Sequence, residues 1–162
     1  MSDSVALLQR FYAAFAQRDW RTMGACYHDD VHFSDPAFDL RGGEARAMWH
    51  MLCDRGRDLR VESSRFAGDA AHGSARWEAW YTFGPTGRRV HNVIDAKVEL
   101  RDGLIVRHVD HFDFWRWSRQ ALGAPGWLLG WSPWLAAKVR AQARRGLDDF
   151  MRRTASRPPS GG

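Results

Sequence analysis

Apolar residues recur at helical spacing in three segments near the start of the chain. The first helix is predicted within SVALLQRFYAAFAQRD, with Ser4 as its N-cap, and a short second helix follows Asp19 through TMGACY. A third helix is predicted in GGEARAMWHMLCDRG. Between the second and third helices, VHFSDP alternates as a short strand that places Phe33 and Asp35 on one face and ends at Pro36.

After the third helix, the pattern changes to the alternation that is typical of strands. Four strands are predicted at residues 59–67, 72–83, 88–101 and 104–115, separated by the turn sequences AGDA, GPTG and RDG. Because successive side chains of a strand face opposite ways, the nearly apolar face of the third of these strands should point inwards. That face carries Asn92, Ile94, Ala96, Val98 and Leu100.

The same alternation assigns an inner face to the neighbouring strands. Across the sheet this face carries Trp77, Tyr81, Asn92, His108, Asp110 and Phe112. Such a surface is too polar for a dry core, so the pattern predicts the wall of a ligand pocket.

The C-terminal segment GAPGWLLGWSPWLAAKVRAQARRGLDDFMRR predicts a helix that begins at Ser132 and Pro133 and has an apolar stripe opposite its arginines. We favour packing of this helix across the domain or a second copy, with the Trp-rich loop near the pocket mouth. Peripheral contact with anionic lipid is the alternative. The expected organisation is a domain over residues 1–117, a basic helical extension over 118–153 and a disordered tail over 154–162.

Charge is distributed unevenly along the 162 residues. The net charge is +5, but residues 116–162 carry +7 and residues 1–115 carry −2. Nucleic-acid-binding domains present a basic surface, so the slightly acidic folded domain argues against nucleic acid as a partner. Cys26 and Cys53 are expected to be buried, reduced thiols. Without a long apolar run or a signal peptide, the protein is expected to be cytoplasmic.

Three segments together resemble the nuclear transport factor 2-like superfamily: YAAFAQRDWRTMGACYHDDVHFSDP, GGEARAMW and DGLIVRHVDHFDFW. Within it, the sequence is similar to the SnoaL-like group, which includes ketosteroid isomerase, limonene epoxide hydrolase and polyketide cyclases. The resemblance implies an α+β fold in which a cone-shaped, curved antiparallel sheet wraps around N-terminal helices. It also implies an apolar cavity for a steroid-, polyketide- or terpenoid-like ligand.

The resemblance implies catalytic roles for some residues, whereas at other positions the side chain or its expected face does not fit the family's role. Asp35, before Pro36, matches the general base of the isomerases, whereas their oxyanion tyrosine corresponds to Phe11, next to Tyr12. Their second acid aligns with Asp95, which the strand alternation places on the outer face. The Arg-x-Asp pair of the epoxide hydrolases corresponds to Trp77 and Ala79, while their last acid falls at Asp110 and their water-positioning Asn at Asp35.

The predicted catalytic residues are Asp35, Asp110 and His108. Burial among aromatic rings disfavours a charged carboxylate and a second carboxylate raises one pKa further, as acid/base catalysis near neutral pH requires. The expected substrate-binding residues are Trp77, Tyr81, Asn92, Phe112, Phe33, Tyr12, Tyr27 and Trp49. A non-catalytic binding or scaffold domain is the alternative function.

Each candidate also has a structural interpretation. Asp35 is suited to a strand-end cap that accepts backbone N–H groups. Asp110 is suited to a buried carboxylate paired with His108 or an arginine, and His108 to a satisfied structural histidine. Trp77 and Tyr81 are equally compatible with an ordinary core.

No metal site is expected in the cluster of His108, Asp110, His111 and Asp113, because adjacent members face opposite sides of a strand. No nucleophile, phosphate-binding or dinucleotide motif is present, so no cofactor is expected. The expected partners are a small apolar ligand and a second copy of the chain. This homodimer is predicted through the outer sheet face at Trp80, His91, Val93 and Trp115.

Overall fold

The structure, a computed structural model, describes residues 1–157. The N-terminal part contains α1 (Asp3–Ala16), α2 (Trp20–Ala25), β1 (Tyr27–Ser34), β2 (Asp39–Arg41) and α3 (Gly43–Arg55). The middle part contains β3 (Arg60–Gly68), β4 (His72–Phe83), β5 (Arg88–Arg101) and β6 (Leu104–His111). The C-terminal part contains α4 (Phe114–Leu122), α5 (Ala124–Leu129) and α6 (Pro133–Ala155).

The six strands form one curved, unclosed sheet in the order β2-β1-β6-β5-β4-β3. Four of its five neighbouring pairs are antiparallel, and β1 pairs with β6 in parallel. The pairing shifts register between Ser64 and Ala67, where Arg65 has a positive φ of 55°, and between Glu99 and Leu100. Such bulges bend strands and increase their twist. The predicted α+β fold class is confirmed.

The inner face of the sheet is the one that the alternation predicts. Ile94, Ala96 and Val98 of β5 are buried, whereas Asp95 and Lys97 between them are exposed. α1 contributes Phe11 and Phe15 to the same core, where each packs against the indole of Trp49 on α3, with ring centroids 5.4 and 5.0 Å apart. The hydrophobic core therefore lies between the helices and the concave face of the sheet.

Several elements in the first helix and the sheet differ from the prediction. Ser2, and not Ser4, is the N-cap of α1, while the buried Ser4 hydroxyl donates to the carbonyl of His72 at 2.8 Å. β1 begins earlier than predicted, at Tyr27, and the short β2 was not predicted. The strand predicted over 104–115 ends at His111, because the Asp113 carboxylate accepts the backbone N–H of Arg116 at 3.0 Å and caps α4.

The helix α4 lies along the part of β5 that β6 does not cover. The side-chain amide of Gln120 accepts the backbone N–H of His91 at 2.7 Å and donates to its carbonyl at 3.1 Å. These two bonds replace those that a neighbouring strand would make. The indole N–H of Trp117 donates to the Tyr81 hydroxyl at 2.8 Å, which joins α4 to β4.

The helix α6 begins as predicted, with the Ser132 hydroxyl accepting the backbone N–H of Leu135 at 3.2 Å. Its apolar stripe faces the domain, and Phe150 packs edge-on against His50 of α3 with ring centroids 4.8 Å apart. Arg140 donates to the carbonyl of Pro36 at 2.9 Å. α6 runs to Ala155, two residues into the predicted tail, and residues 158–162 lie outside the described part of the chain.

Both cysteines are buried and free, as predicted. No helix in residues 1–157 combines the length and the apolar character that a membrane span requires.

Candidate functional site

A chain of hydrogen bonds runs through the interior from α3 to β6. The indole N–H of Trp49 donates to the Tyr27 hydroxyl at 2.7 Å, and that hydroxyl lies 2.8 Å from Nδ1 of His108. On the other side of the ring, Nε2 of His108 lies 2.9 Å from Oδ1 of Asp110. His108 and Asp110 are 0% and 3% exposed, so this contact is made away from solvent.

The indole fixes the direction of donation along this chain. An indole N–H is a donor and has no acceptor, so the Tyr27 oxygen accepts from Trp49 and its proton is free to go to Nδ1 of His108. Nε2 then carries the ring proton and donates to Asp110. In this arrangement both ring nitrogens of His108 have a hydrogen-bond partner, as buried polar groups require.

The strand alternation explains why these side chains meet. His108 and Asp110 are two residues apart on β6 and point to the same face. The parallel pairing of β1 with β6 places Phe33 opposite His108, where the two rings pack edge-on with centroids 5.1 Å apart. Tyr27, at the start of β1, reaches the other side of the same histidine.

Asp35 lies directly after β1 and closes a tight turn. Its Oδ1 accepts the backbone N–H groups of Ala37 and Phe38, both at 2.7 Å. Burial and, second, the charge of Asp110 together raise the pKa of Asp35 to about 7, although the two backbone bonds oppose the shift. Asp35 is thus the strand-end cap of the structural interpretation and also a carboxyl whose proton exchanges near neutral pH.

Two buried donors in this region lack an acceptor. Among residues 1–157, the Tyr12 hydroxyl and Nε1 of Trp77 are buried side-chain polar atoms without a hydrogen-bond partner. Their rings lie 6.0 Å apart between centroids. Burial, and then the charge of Asp110, raises the pKa of Tyr12 well above its ordinary value. Tyr12 therefore stays protonated and can donate to an oxygen atom placed beside it.

A model of the SnoaL-like domain matches residues 8–108 of this chain. The chain belongs to the SnoaL-like family. The match ends at His108, so Asp110 and helices α4 to α6 lie beyond the matched part. No match was found among curated proteins.

Solved structures share the fold of this chain. A nuclear transport factor 2-like protein of unknown function from Burkholderia pseudomallei is 18% identical, with a TM-score of 0.64 over 75% of this chain and 99% of that one. A putative polyketide cyclase from Xanthomonas campestris is 23% identical, with a TM-score of 0.59 over 73% of this chain and 96% of that one. An LEH-like epoxide hydrolase from M. tuberculosis is 22% identical, with a TM-score of 0.59 over 83% of this chain and 96% of that one.

The SnoaL-like domain brings most of the predicted site residues to one interior region. Phe33, Tyr27 and Trp49 surround His108 and are fully or almost fully buried, and Tyr12 packs near Trp77. Tyr81 is half-buried, and Asp35 is close enough to it to contribute to the raised pKa of its hydroxyl. Asn92 is buried on the same face of the sheet.

Two predictions about single residues have different outcomes. Phe112 was expected on the inner face of a continuing strand, but it lies in the link between β6 and α4, where it still packs against the core. Asp95 lies on the outer face as expected, where Arg76 donates to both of its carboxylate oxygens at 2.8 and 2.9 Å.

The prediction missed the connection between Tyr27 and His108. Strand alternation gives the face of each residue, but the contact depends on the parallel pairing of β1 with β6, which no local pattern reveals. It also missed Trp117, whose bond to Tyr81 depends on the helix that replaces the predicted end of β6.

Proposed function

We propose that this SnoaL-like domain binds an apolar, oxygen-containing small molecule between its helices and sheet and performs cofactor-independent acid/base chemistry on it. The observation that carries the proposal is the pair of unpartnered buried donors, Tyr12 and Trp77, in the region that also holds Asp35 and Asp110. Buried polar groups are normally paired, so two free donors near two carboxyls fit a ligand oxygen.

Asp35 is the proton carrier in this proposal. A general base or acid works best when its pKa lies near the working pH, and burial beside Asp110 brings the pKa of Asp35 to about 7. The carboxylate would remove a proton from a carbon next to a substrate carbonyl and return it at another position. Tyr12 and Trp77 would donate to the carbonyl oxygen as negative charge develops on it.

Asp110 and His108 support this chemistry without exchanging the proton themselves. The hydrogen bonds from Trp49 through Tyr27 and His108 hold Asp110 in place. Its charge keeps Asp35 protonated to a higher pH than burial alone would allow. An apolar polycyclic ketone of the steroid, polyketide or terpenoid type has the chemistry that this aromatic interior favours.

Hydrogen–deuterium exchange into apolar ketones, followed by NMR in deuterated buffer, tests the proposal directly. The wild-type protein should accelerate exchange next to the carbonyl, and Asp35→Asn should abolish the acceleration. Tyr12→Phe should slow it by roughly 100- to 1,000-fold, the range for loss of one oxyanion donor. Asp95→Asn, on the outer face, is the matched control and should retain full activity.

A non-catalytic ligand-binding protein is the second candidate function. It is favoured by the complete pairing of His108 and by the two backbone N–H groups that already occupy Oδ1 of Asp35. A ketone that binds the wild-type protein without exchanging its protons would support this second function. Native mass spectrometry of the purified protein would then identify what it carries.

A further inference from the structure

The C-terminal helices present large apolar side chains to solvent. We define the tryptophan surface as Trp115, Trp127, Leu128, Leu129, Trp131 and Trp134, which lie on α4, on α5, in the turn between α5 and α6, and at the start of α6. All six are exposed, with Leu128 and Trp131 at 71% and 73%. Isolated exposed apolar residues are common, but a group of six within one segment is the signature of an interaction surface.

A group of arginines adjoins this surface. A pocket of about 490 Å³ is lined by Arg88, Arg89, Arg116, Arg119, Gln120 and Trp127, and we call it the arginine pocket. Trp127 belongs to both features. The guanidinium of Arg119 lies 4.4 Å from the ring centroid of Trp115 and 4.7 Å from that of Trp127, so it links the pocket to the aromatic rings.

The arginines of the pocket carry uncompensated charge. Within residues 1–157, none of the four forms an ion pair, and Nε of Arg119 is buried without a hydrogen-bond partner. The charge of Arg89 makes a small contribution to the lowered pKa of Asp58, which is caused chiefly by hydrogen bonds from Thr82. Residues 114–147 contain six Arg and Lys and no Asp or Glu, and within residues 1–157 only Arg144 of these six forms ion pairs, with Glu44 and Asp148. The complementary partner is therefore anionic.

The apolar part of the surface favours a lipid bilayer over other anionic partners. Indole rings favour the boundary between lipid headgroups and acyl chains, and the exposed Leu128 and Leu129 add aliphatic area that a nucleic acid could not stack on. Lys138 lies 4.8 Å from the ring centroid of Trp134, so basic groups flank the apolar side chains at this end as well. A second copy docked on the same surface would bring two arginine pockets together and repel.

We propose that the tryptophan surface and the arginine pocket together bind the anionic face of a lipid bilayer. The contact is peripheral: the indole and leucine side chains enter the headgroup region while the arginines meet lipid phosphates. The apolar stripe of α6 is used inside the protein, where Leu135, Leu147 and Phe150 are buried. The lipid contact therefore belongs to the exposed side of α4, to α5, to the turn after it and to the first turn of α6.

Co-sedimentation of the full chain with vesicles tests this proposal. Vesicles of phosphatidylcholine with about a third of the lipid replaced by phosphatidylglycerol should bind at least about tenfold more tightly than phosphatidylcholine alone, since each base at the surface contributes roughly a factor of five. Binding should weaken as salt is added. Tryptophan emission should shift to shorter wavelength on binding, because exposed indoles leave water.

Two matched double substitutions test whether vesicle binding depends on this surface or only on the net positive charge of the protein. Arg89→Gln with Arg116→Gln should weaken binding to anionic vesicles at least about tenfold by the same per-base factor. Arg10→Gln with Lys97→Gln removes the same charge from α1 and the outer sheet face, and it should leave binding unchanged. Leu128→Ser with Trp131→Ser should also weaken binding, while circular dichroism and thermal melts show an intact fold.

Three outcomes would overturn the proposal. One is equal loss from the two charge-removing pairs, which would make the attraction nonspecific. Another is binding of single-stranded oligonucleotides without binding to anionic vesicles. The third is an absence of vesicle binding together with a dimer that Leu128→Ser with Trp131→Ser converts to a monomer, which would assign the tryptophan surface to a second copy.

Discussion

The Tyr27 hydroxyl lies 2.8 Å from Nδ1 of His108, and it is the link between helix α3 and the carboxylate of Asp110. Both residues are almost fully buried, so each polar atom of the pair depends on the other for its hydrogen bond. A buried group that loses its partner bears the full cost of its desolvation, whereas a group that never had one loses nothing.

This difference predicts opposite behaviour for two buried tyrosines. Tyr27→Phe removes the acceptor of Trp49 and the donor to His108, and it should lower the free energy of unfolding by about 1 to 3 kcal/mol. Tyr12→Phe removes a hydroxyl that has no partner, so stability should be unchanged or higher. Denaturant unfolding of both variants gives the comparison, and equal losses would contradict the hydrogen-bond chain.

A part of the fold can be predicted from the sequence where a single local pattern determines its structure. From Ile94 to Arg101 in β5, apolar and charged residues alternate without interruption, so the buried face of this strand follows from the sequence. In FDFW the alternation continues beyond His111, but Asp113 caps a helix, and this local hydrogen bond outweighs the periodicity. The face of His108 could be predicted, whereas its contact with Tyr27 required the parallel pairing of β1 and β6, which are far apart in sequence.

The raised pKa of Asp35 predicts a loss of stability as pH rises. Its pKa goes from an ordinary 3.8 to about 7 in the folded protein, chiefly through burial. The protonated carboxyl therefore favours folding, an effect that is complete below the unfolded pKa and lost as pH rises through about 7. Asp35→Asn keeps an oxygen for the N–H groups of Ala37 and Phe38, so it should be more stable than wild type at pH 8, by a few kcal/mol at most.

Denaturant melts between about pH 4 and pH 8 check the sign of this effect. Asp95→Asn is the control with the opposite sign, because hydrogen bonding to Arg76 lowers the pKa of Asp95. Its contribution is present above the unfolded pKa and is lost only as pH falls below it, so Asp95→Asn should keep the pH dependence of wild type over this range. The contribution is small because the pair is partly exposed. An Asp35→Asn variant with the same pH dependence as wild type would show that Asp35 is not the group responsible.

The strand alternation of β4 predicts which of its two tryptophans contacts a ligand. Trp77 is buried on the inner face beside Tyr12, and Trp80 lies on the outer face, stacked on His91 with ring centroids 4.6 Å apart. Trp77→Ala and Tyr81→Ala should weaken binding of an apolar probe by about 1 to 3 kcal/mol each. Trp80→Ala should not, as measured by fluorescence titration below the melting temperature of each variant.

The outer sheet face is the predicted dimer interface. Trp80 and His91 stack there, and Val93 is half-buried next to them. The prediction also placed Trp115 on this face, but Trp115 lies on α4. The wild-type protein should sediment as a dimer at tens of micromolar, and Trp80→Glu should convert it to a monomer. A wild-type monomer at that concentration would contradict the prediction.

Asp110→Asn removes the carboxylate of this residue but keeps a side-chain oxygen at its place in the hydrogen-bond chain. Burial is the largest cause of the raised pKa of Asp35 and the charge of Asp110 is the second. The substitution should therefore lower the pKa of Asp35 but leave it above 3.8, as carboxyl chemical shifts in an NMR titration would show. Stability at neutral pH should fall by about 1 to 3 kcal/mol, because Nε2 of His108 loses a charged acceptor at 2.9 Å. A gain in stability would mean that repulsion between the two carboxyls outweighs this bond, and Asp110 would then share the role of proton carrier with Asp35.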